Sequence, residues 1–373
     1  MNTSTEKNMQ LSQRHPSALY ILFALLTCPC IAAAQANDQR ADVVVDALMR
    51  TEAITNLAKE VDSNYASPKS GATIAKELRA RLRANRYTHT GARALAAELT
   101  TDLRALSHDP HFLVDYFVVP RAFPVATPTQ DPISQADRSL TSRLQNFGFA
   151  KVERLAGNIG YLKLDRFEDP AVAGQTAAAA MQFLNGTDAL IIDLRDNGGG
   201  YGAMATLLAS YFFSEETHLG DISGRDAKDL KQIWTYATVP GPRYLEKAVY
   251  ILSGARTFSA AEAFAYDLQS QKRAMIVGEK TRGGANTAAR FLLSSRFAVI
   301  IPVGHVRNAV TGTNWEGGLK PDWLVDGDRT FPTAYLTALE ATAPKHRDDP
   351  LTREIEKGMA SLKTQLASLP PKP

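Results

Sequence analysis

From residue 158 onward, short apolar runs rich in β-branched residues alternate with helical stretches. The runs NIGYLKL, ALIIDLR, AVYILSG and AMIVGEK have strand character, and PAVAGQTAAAAMQFL and GAMATLLASYFF have helical character. Strands and helices that alternate in this way typically form βαβ units on a buried sheet. We therefore predict an α/β fold here, followed by a hairpin over 291–307 and terminal helices over 330–369.

The segment before this α/β region has a different composition. Residues 41–106 are rich in Ala, Leu, Arg and Glu, with apolar residues three and four positions apart, which predicts about three helices. Residues 117–138, FVVPRAFPVATPTQDPISQADR, contain four prolines and indicate a linker or flap. The predicted organisation has five parts: a signal peptide (1–36), an N-terminal helical domain (37–109), a histidine-bearing turn with a Pro-rich linker (110–148), a core domain (149–330) and a C-terminal helical tail (331–373).

The first 36 residues have the pattern of a secretory signal. Lys7 and Arg14 give a basic start, ALYILFALLT is an apolar run, and IAAAQAND offers cleavage sites after Ala34 or Ala36. The run is short for a membrane span, so an uncleaved anchor is the alternative. The two cysteines, at positions 28 and 30, lie in this segment, and the mature chain is expected to contain no disulfide. We predict an exported protein, periplasmic or extracellular.

Charge and residue spacing argue against several classes of partner. The formal net charge of +3 over 373 residues is small and evenly spread, which disfavours a nucleic-acid partner. No His, Cys or Asp cluster has the spacing of a metal site, and no nucleotide motif is present. We therefore predict no metal and no cofactor. The oligomeric state stays open.

Ser259 is the first candidate site residue. It follows the strand AVYILSG and precedes the helix AAEAFAYDLQ, at the sheet edge where open α/β sheets place ligands. The N–H groups of a helix N-terminus favour negative charge, such as that of an acyl-transfer oxyanion. The stretch is not a G-x-S-x-G elbow. The alternative is a helix cap, with Glu262 completing a capping box.

The run DLRDNGGG at 193–200 is the second candidate element. Its glycines can expose backbone N–H groups after a strand, which suits an oxyanion hole better than a phosphate cradle. The alternative is a tight turn in which Asp193 pairs with Arg195. A reactive serine also needs a base, and the turn SHDPH offers His108 and His111. The residues alone do not choose between these two histidines.

Four motifs in this order, DLRDNGGG, FSAAEAFAYDLQ, VGEKTRGGA and NWEGGLKPDWLV, resemble the tail-specific (C-terminal processing) protease family. The closest resemblance is to its branch similar to interphotoreceptor retinoid-binding protein and the tricorn core protease, and it covers roughly residues 40–330. The resemblance implies a βαβ-spiral, crotonase/ClpP-like catalytic core behind a small helical domain. Members often carry a PDZ domain between the two, but the stretch from 118 to 145 is too short for one.

The resemblance also implies roles for individual residues. Ser259 corresponds to the nucleophile, and the oxyanion hole to the N–H groups of Ala260 and of Gly199 or Gly200. The lysine base of the processing branch is replaced by glycine in GEKTRGG, and Lys280 occupies a different place in the pattern.

The tricorn-like branch uses a histidine from a turn that DPH matches here, which implies His111 as general base. Glu316 in NWEGG corresponds to an acidic residue that orients or stabilises this base. The resulting hypothesis is a serine-type peptidase acting on exported proteins or peptides. The alternative is a non-catalytic binding module for a hydrophobic ligand or peptide on the same fold.

Overall fold

The computed structural model describes residues 42–121, 140–225 and 229–370, which belong to one compact unit beginning at Asp42. The predicted signal peptide and most of the Pro-rich linker lie outside the described residues. The helices are α1 (Ala47–Asn64), α2 (Pro68–Arg83), α3 (Ala92–Ser107), α4 (Pro170–Leu184), α5 (Gly202–Ala209), α6 (Ala260–Ser270), α7 (Gly327–Thr342) and α8 (Leu351–Ser368). In this part of the chain no helix is long and apolar enough to cross a membrane.

A six-stranded sheet forms the centre of the α/β region. Its spatial order is β11-β8-β7-β4-β3-β2, and all neighbours are parallel except the hairpin β2–β3. The strands are β2 (Phe149–Leu155), β3 (Ile159–Leu164), β4 (Ala189–Asp193), β7 (Ala248–Ser253), β8 (Met275–Gly278) and β11 (Trp323–Leu324). The four strands predicted from NIGYLKL, ALIIDLR, AVYILSG and AMIVGEK are confirmed.

Helices cover both faces of this sheet. In β4, Leu190 and Ile192 pack into one core with α4, α5 and α6, whereas Ala189 and Ile191 pack into a second core with α7 and α8. Successive side chains of a strand point to opposite faces, so a strand buried on both faces is apolar throughout. This explains why the run ALII shows no alternation of polar and apolar residues.

A second, antiparallel sheet carries the N-terminal helices. It contains β1 (Leu113–Tyr116), β5 (His218–Gly224), β6 (Leu230–Trp234), β9 (Asn286–Leu292) and β10 (Phe297–Asn308), with β10 pairing with β1, β5 and β9. Helices α1–α3 share one hydrophobic core with β1, β9 and β10. The predicted hairpin is confirmed as β9–β10. It brings residues near position 286 against the N-terminal segment.

Capping residues mark the starts of several helices. The Asp46 side chain accepts the Met49 N–H at 2.8 Å before α1, and Asp169 accepts the Ala171 N–H at 2.9 Å before α4. Each such bond satisfies one of the orphan N–H groups of a first helical turn. The helix α3 ends instead at His108, which has the left-handed φ of 58°. This reversal starts the turn that leads to His111.

Candidate active site

Two loops meet at the carboxyl edge of the six-stranded sheet. Strands β4 and β7 are parallel neighbours, so the loop after Asp193 and the loop after Ser253 leave the sheet side by side. The Thr257 hydroxyl donates to the Leu194 carbonyl at 2.7 Å, and the Phe258 N–H donates to the Asn197 carbonyl at 3.0 Å. These bonds join the glycine-rich loop to the turn that carries Ser259.

Ser259 has a strained backbone. Its φ of 54° and ψ of −118° lie in a region that non-glycine residues rarely adopt, at a cost of about 1–3 kcal/mol. Ser259 and Glu262 form a capping box, in which the Ser259 N–H donates to Glu262 Oε2 at 2.7 Å. This bond fixes the turn that carries the half-buried serine.

Glu262 holds the serine turn and a second loop together. Its fully buried carboxylate also accepts the Thr281 hydroxyl at 2.5 Å, the Gly283 N–H at 2.7 Å and the Gly284 N–H at 3.0 Å. Burial raises the pKa of Glu262, and these donors act in the opposite direction. The capping-box pattern indicated the bond to Ser259 but gave no signal for the bonds to 281–284.

The glycine-rich loop passes directly against Ser259. A Cβ atom on Gly199, which has a φ of 96°, would lie 2.9 Å from the Ser259 Cβ and 3.0 Å from the Ala260 nitrogen, so only glycine fits. The Gly199 N–H donates to Asn197 Oδ1 at 2.8 Å. The N–H groups of Gly200 and Ala260, by contrast, have no hydrogen-bond partner among the described residues. In the described part of the chain, the two N–H groups that follow Gly199 and Ser259 are therefore unoccupied.

His111 is buried and paired with a carboxylate. Its Nδ1 lies 3.0 Å from Asp109 Oδ1, which also accepts the His111 backbone N–H at 2.9 Å. The other oxygen, Oδ2, accepts Asn286 Nδ2 at 2.7 Å. Burial opposes ionisation of Asp109, but the hydrogen bonds from His111 and Asn286 outweigh it and hold its pKa below the usual range. Asp109 is the first residue of the DPH turn, two positions before His111, and the family resemblance implies no role for its carboxylate.

The buried ring of His111 lies against the residue that precedes Ser259. The ring centroids of His111 and Phe258 are 4.6 Å apart, and a Cβ on Gly284 would lie 2.7 Å from the His111 ring. His111 Nε2 is buried and has no hydrogen-bond partner in the described part of the chain. His108, the other candidate, is exposed at the end of α3.

Glu316 lies near this pair but is not bonded to it. Its Oε2 accepts the Ala285 N–H at 3.3 Å. Burial raises the pKa of Glu316, and the negative charge of Asp109 raises it further. The structure thus gives Asp109, rather than Glu316, as the carboxylate in direct contact with the imidazole.

Two other charged residues named in the motifs, Arg195 and Lys280, make structural contacts. Arg195 contacts Asp193 through Nε at 2.9 Å and Nη2 at 2.6 Å, as the tight-turn alternative predicts for this pair. Burial opposes ionisation of Asp193, but the Arg195 bonds hold its pKa below the usual range. Lys280 is exposed, and its aliphatic stem lies against Gly318.

A buried imidazole with a free Nε2, a hydroxyl on a strained turn and two free N–H groups make a set suited to acyl transfer. Within residues 42–121, 140–225 and 229–370, no cluster of three or more His, Cys, Asp or Glu side chains could hold a metal ion.

Family comparisons agree with this arrangement of elements. Residues 158–325 match the family model described as peptidase family S41. This range contains the serine turn and the glycine-rich loop. Residues 43–145 match the N-terminal domain of peptidase S41 in eukaryotic IRBP. The two ranges together cover more than two thirds of the chain.

Curated relatives match the central region. A carboxyl-terminal-processing protease of Synechocystis sp. is 28% identical over 171 residues, which are 45% of this chain and 38% of that protein. The chloroplastic carboxyl-terminal-processing peptidase 1 of Arabidopsis thaliana is 28% identical over 183 residues, which are 48% of this chain and 36% of that protein. This chain thus matches well under half the length of these relatives.

A solved structure shares the fold over a larger part of the chain. A lipoprotein from Streptococcus agalactiae superposes with a TM-score of 0.53 at 15% identity, covering 78% of this chain and 96% of that one. At this level of identity the similarity concerns the fold alone. The mixed arrangement of sheets and helices is therefore shared beyond the region matched in sequence.

Proposed function

Because the chain belongs to the peptidase S41 family, we propose that the site around Ser259 hydrolyses peptide bonds. One observation carries this proposal: His111, paired with Asp109 and with a free Nε2, packs on the residue before a strained Ser259. A helix cap alone does not require a buried imidazole with an unused nitrogen. Protein or peptide chains are the proposed substrates.

The proposed reaction uses the groups already described. Ser259 Oγ attacks the peptide carbonyl while His111 Nε2 accepts its proton, and the Asp109 carboxylate stabilises the imidazolium that forms. The N–H groups of Ala260 and Gly200 donate to the oxyanion. His111 then protonates the leaving amine. Water attacks the acyl-serine while His111 accepts a proton from it, and His111 returns this proton to Ser259 Oγ as the bond to the acyl group breaks and the carboxylic acid leaves. Glu316 contributes through its charge, since its carboxylate lies within electrostatic range of His111.

Gly200 is preferred to Gly199 as the second oxyanion donor. The Gly199 N–H is already bound to Asn197, so its use would break a 2.8 Å bond to a fully buried side chain. The Gly200 N–H needs no such rearrangement. The backbone of Gly200 is fixed by its bridge to Phe167, where a Cβ would lie 2.0 Å from the Phe167 carbonyl oxygen. A fixed and unoccupied donor suits transition-state binding.

The finer features of the fold are part of the same proposal. We assign the parallel run β3-β4-β7-β8-β11, with its crossover helices, to a spiral core of the crotonase/ClpP type. Fewer than thirty positions separate β1 from Asn146, fewer than the roughly 50 residues of a small domain, so we propose that no PDZ domain is inserted there. The basic and apolar start of the chain supports export before the enzyme acts.

The test is covalent labelling of the serine. The purified protein is treated with a fluorophosphonate, and its intact mass is measured for the wild type, Ser259→Ala and Ser270→Ala. Ser270 lies at the other end of α6 and donates to the Asp267 carbonyl at 3.0 Å, so its variant is the matched control. We expect one adduct on the wild type and on Ser270→Ala, and none on Ser259→Ala. A folded wild type that forms no adduct would favour the binding-module alternative.

A further inference from the structure

A chain of hydrogen bonds continues from the His111–Asp109 pair to the protein surface. Asp109 Oδ2, on the side away from His111, accepts Asn286 Nδ2 at 2.7 Å. Asn286 Oδ1 lies 3.1 Å from Nδ1 of His305, which is exposed. Two side chains, those of Asp109 and Asn286, thus connect a buried imidazole to a solvent-exposed imidazole.

The Asp109 carboxylate fixes the direction of each hydrogen bond in this chain. An ionised carboxylate only accepts, so Asn286 has to turn its NH₂ group toward Asp109 and its carbonyl oxygen toward His305. That oxygen requires a hydrogen on His305 Nδ1. Asp109 likewise requires a hydrogen on His111 Nδ1, which leaves the lone pair on Nε2, the tautomer that a general base needs.

A β-bulge brings His305 opposite Asn286. The register of β9 and β10 changes between Pro302 and Gly304, where β10 contains one residue more than β9. Asn286 then pairs with His305, and the side chains of directly paired residues lie on the same face of the sheet. Without the extra residue Asn286 would face Gly304, which has no side chain.

Asn286 is also the neutral donor that completes the surroundings of Asp109. The carboxylate is 3% exposed and cannot rely on water for its hydrogen bonds. His111 supplies two donors to Oδ1, and Asn286 supplies the donor to Oδ2. These bonds set the plane of the carboxylate, and the carboxylate sets the plane of the imidazole.

We propose that Asn286 is a positioning residue for the general base and that His305 holds the Asn286 amide in the required orientation. This inference rests on the proposed function, because it assigns both residues to the acyl-transfer site. Neither residue touches the reacting atoms in this scheme. Each acts through the orientation of Asp109, and therefore of His111.

The test compares fluorophosphonate labelling rates, followed by intact mass between about pH 5 and about pH 8.5. The variants are Asn286→Ala, Asn286→Asp, His305→Asn and His305→Phe. Gln269→Ala is the matched amide control, because Gln269 Nε2 donates to the Asp322 carboxylate at 3.0 Å. His89→Gln is the control for loss of an exposed imidazole. Thermal unfolding of each variant is measured alongside.

We expect Asn286→Ala to be labelled about 10-fold more slowly, since a hydrogen bond to a charged group is lost. Asn286→Asp should approach the wild-type labelling rate at about pH 5, because its protonated carboxyl donates to Asp109 in place of the NH₂ group. As the pH rises this carboxyl ionises and repels Asp109, so the labelling rate should fall relative to the wild type. Three other residues interact electrostatically with Asp109 and are unchanged in every variant: Tyr65, Arg104 and Glu316.

For His305 the expected effects are smaller because the residue is exposed. His305→Asn keeps a donor close to the position of Nδ1 and should stay within about twofold of the wild type, whereas His305→Phe should be labelled about threefold more slowly. The two controls should label at the wild-type rate. This contrast separates a donor requirement from a packing requirement.

Three results would overturn the inference. One is a wild-type labelling rate for Asn286→Ala, and another is a rate for Asn286→Asp that stays in constant ratio to the wild type across the pH range. The third applies if Asn286→Ala fails to fold: equal labelling rates for His305→Phe and His305→Asn would then contradict the inference. A wild type that is not labelled at all would contradict the proposed function instead.

Discussion

The pair formed by Asp109 and His111 gives the sharpest quantitative prediction. Asp109→Asn removes a negative charge but keeps the shape of the side chain. The amide oxygen can still accept both bonds from His111, and its NH₂ group can face Asn286 if that amide rotates by half a turn. The variant therefore tests the charge beside the imidazolium rather than the position of the ring.

The magnitude follows from the distance between the two groups. An imidazolium and a carboxylate 3.0 Å apart attract each other by about 5 kcal/mol at an effective dielectric constant of about 20. The neutral hydrogen bond in Asp109→Asn retains part of this attraction, so the stabilisation of the imidazolium falls by about 3–4 kcal/mol. Since about 1.4 kcal/mol corresponds to tenfold in rate, we expect labelling of Ser259 by a fluorophosphonate to slow by about 10²- to 10³-fold.

The comparison variant is Glu316→Gln, because Glu316 is the acidic residue that the family resemblance implies for this role. Its carboxylate binds the Ala285 N–H and contributes to His111 only through its charge, so we expect a loss of less than about tenfold. Rates would be measured by intact mass at fixed pH, with circular dichroism to confirm folding. Wild-type labelling of Asp109→Asn together with a large loss in Glu316→Gln would contradict the role proposed for Asp109.

Two further predictions concern packing and acid stability. Gly284→Ala should destabilise the protein by about 1–3 kcal/mol and slow labelling, because its Cβ would lie 2.3 Å from the Phe258 ring and 2.7 Å from the His111 ring. Urea unfolding checks this, and Gly186→Ala is the control because a Cβ at that position meets nothing within 4 Å. Asp109 and Asp193 have lowered pKa values, so their stabilisation is present above about pH 4 and lost as the pH falls through their folded pKa values. Urea unfolding between about pH 6 and about pH 3 should show a shallower loss in Asp193→Asn, and an unchanged slope would contradict the assignment.

Much of the fold could be predicted from local pattern. The four buried strands and the crossover helix α4 are long, strongly apolar segments between clear turns, and their type follows from length and residue preference. Strands β5 and β6 were not predicted. All five residues of β6 are exposed or half-buried, so the hydrophobic pattern that identifies a strand is missing there. The strand β6 therefore depends on its pairing with β5, which in turn pairs with β10, rather than on a local signal.

The candidate site divides in the same way. Three parts of the site could be identified from the sequence: Ser259, the glycine-rich loop and the His108/His111 turn. Each lies at a junction between elements, where Gly, Pro, Ser and Asp indicate a turn. The sequence also contains Asp109 beside His111, but nothing local distinguishes it from a turn residue. The place of Glu316 in the motif NWEGG implies an acidic residue that acts on His111, and this role stays a prediction.

By itself, then, the sequence determined which segments form buried strands and helices and which residues lie at their ends, because both follow from local hydrophobic period and turn chemistry. Two features of the site follow only from the packing of the folded chain. Asp109 rather than Glu316 contacts His111, and the Gly199 N–H is bound to Asn197, whereas the Gly200 N–H has no partner among the described residues. These contacts join residues only two positions apart, but the turns that contain them are held by distant residues, such as Asn286, which is 177 positions from Asp109. Their distances are set by the packing of whole elements, which no local pattern contains.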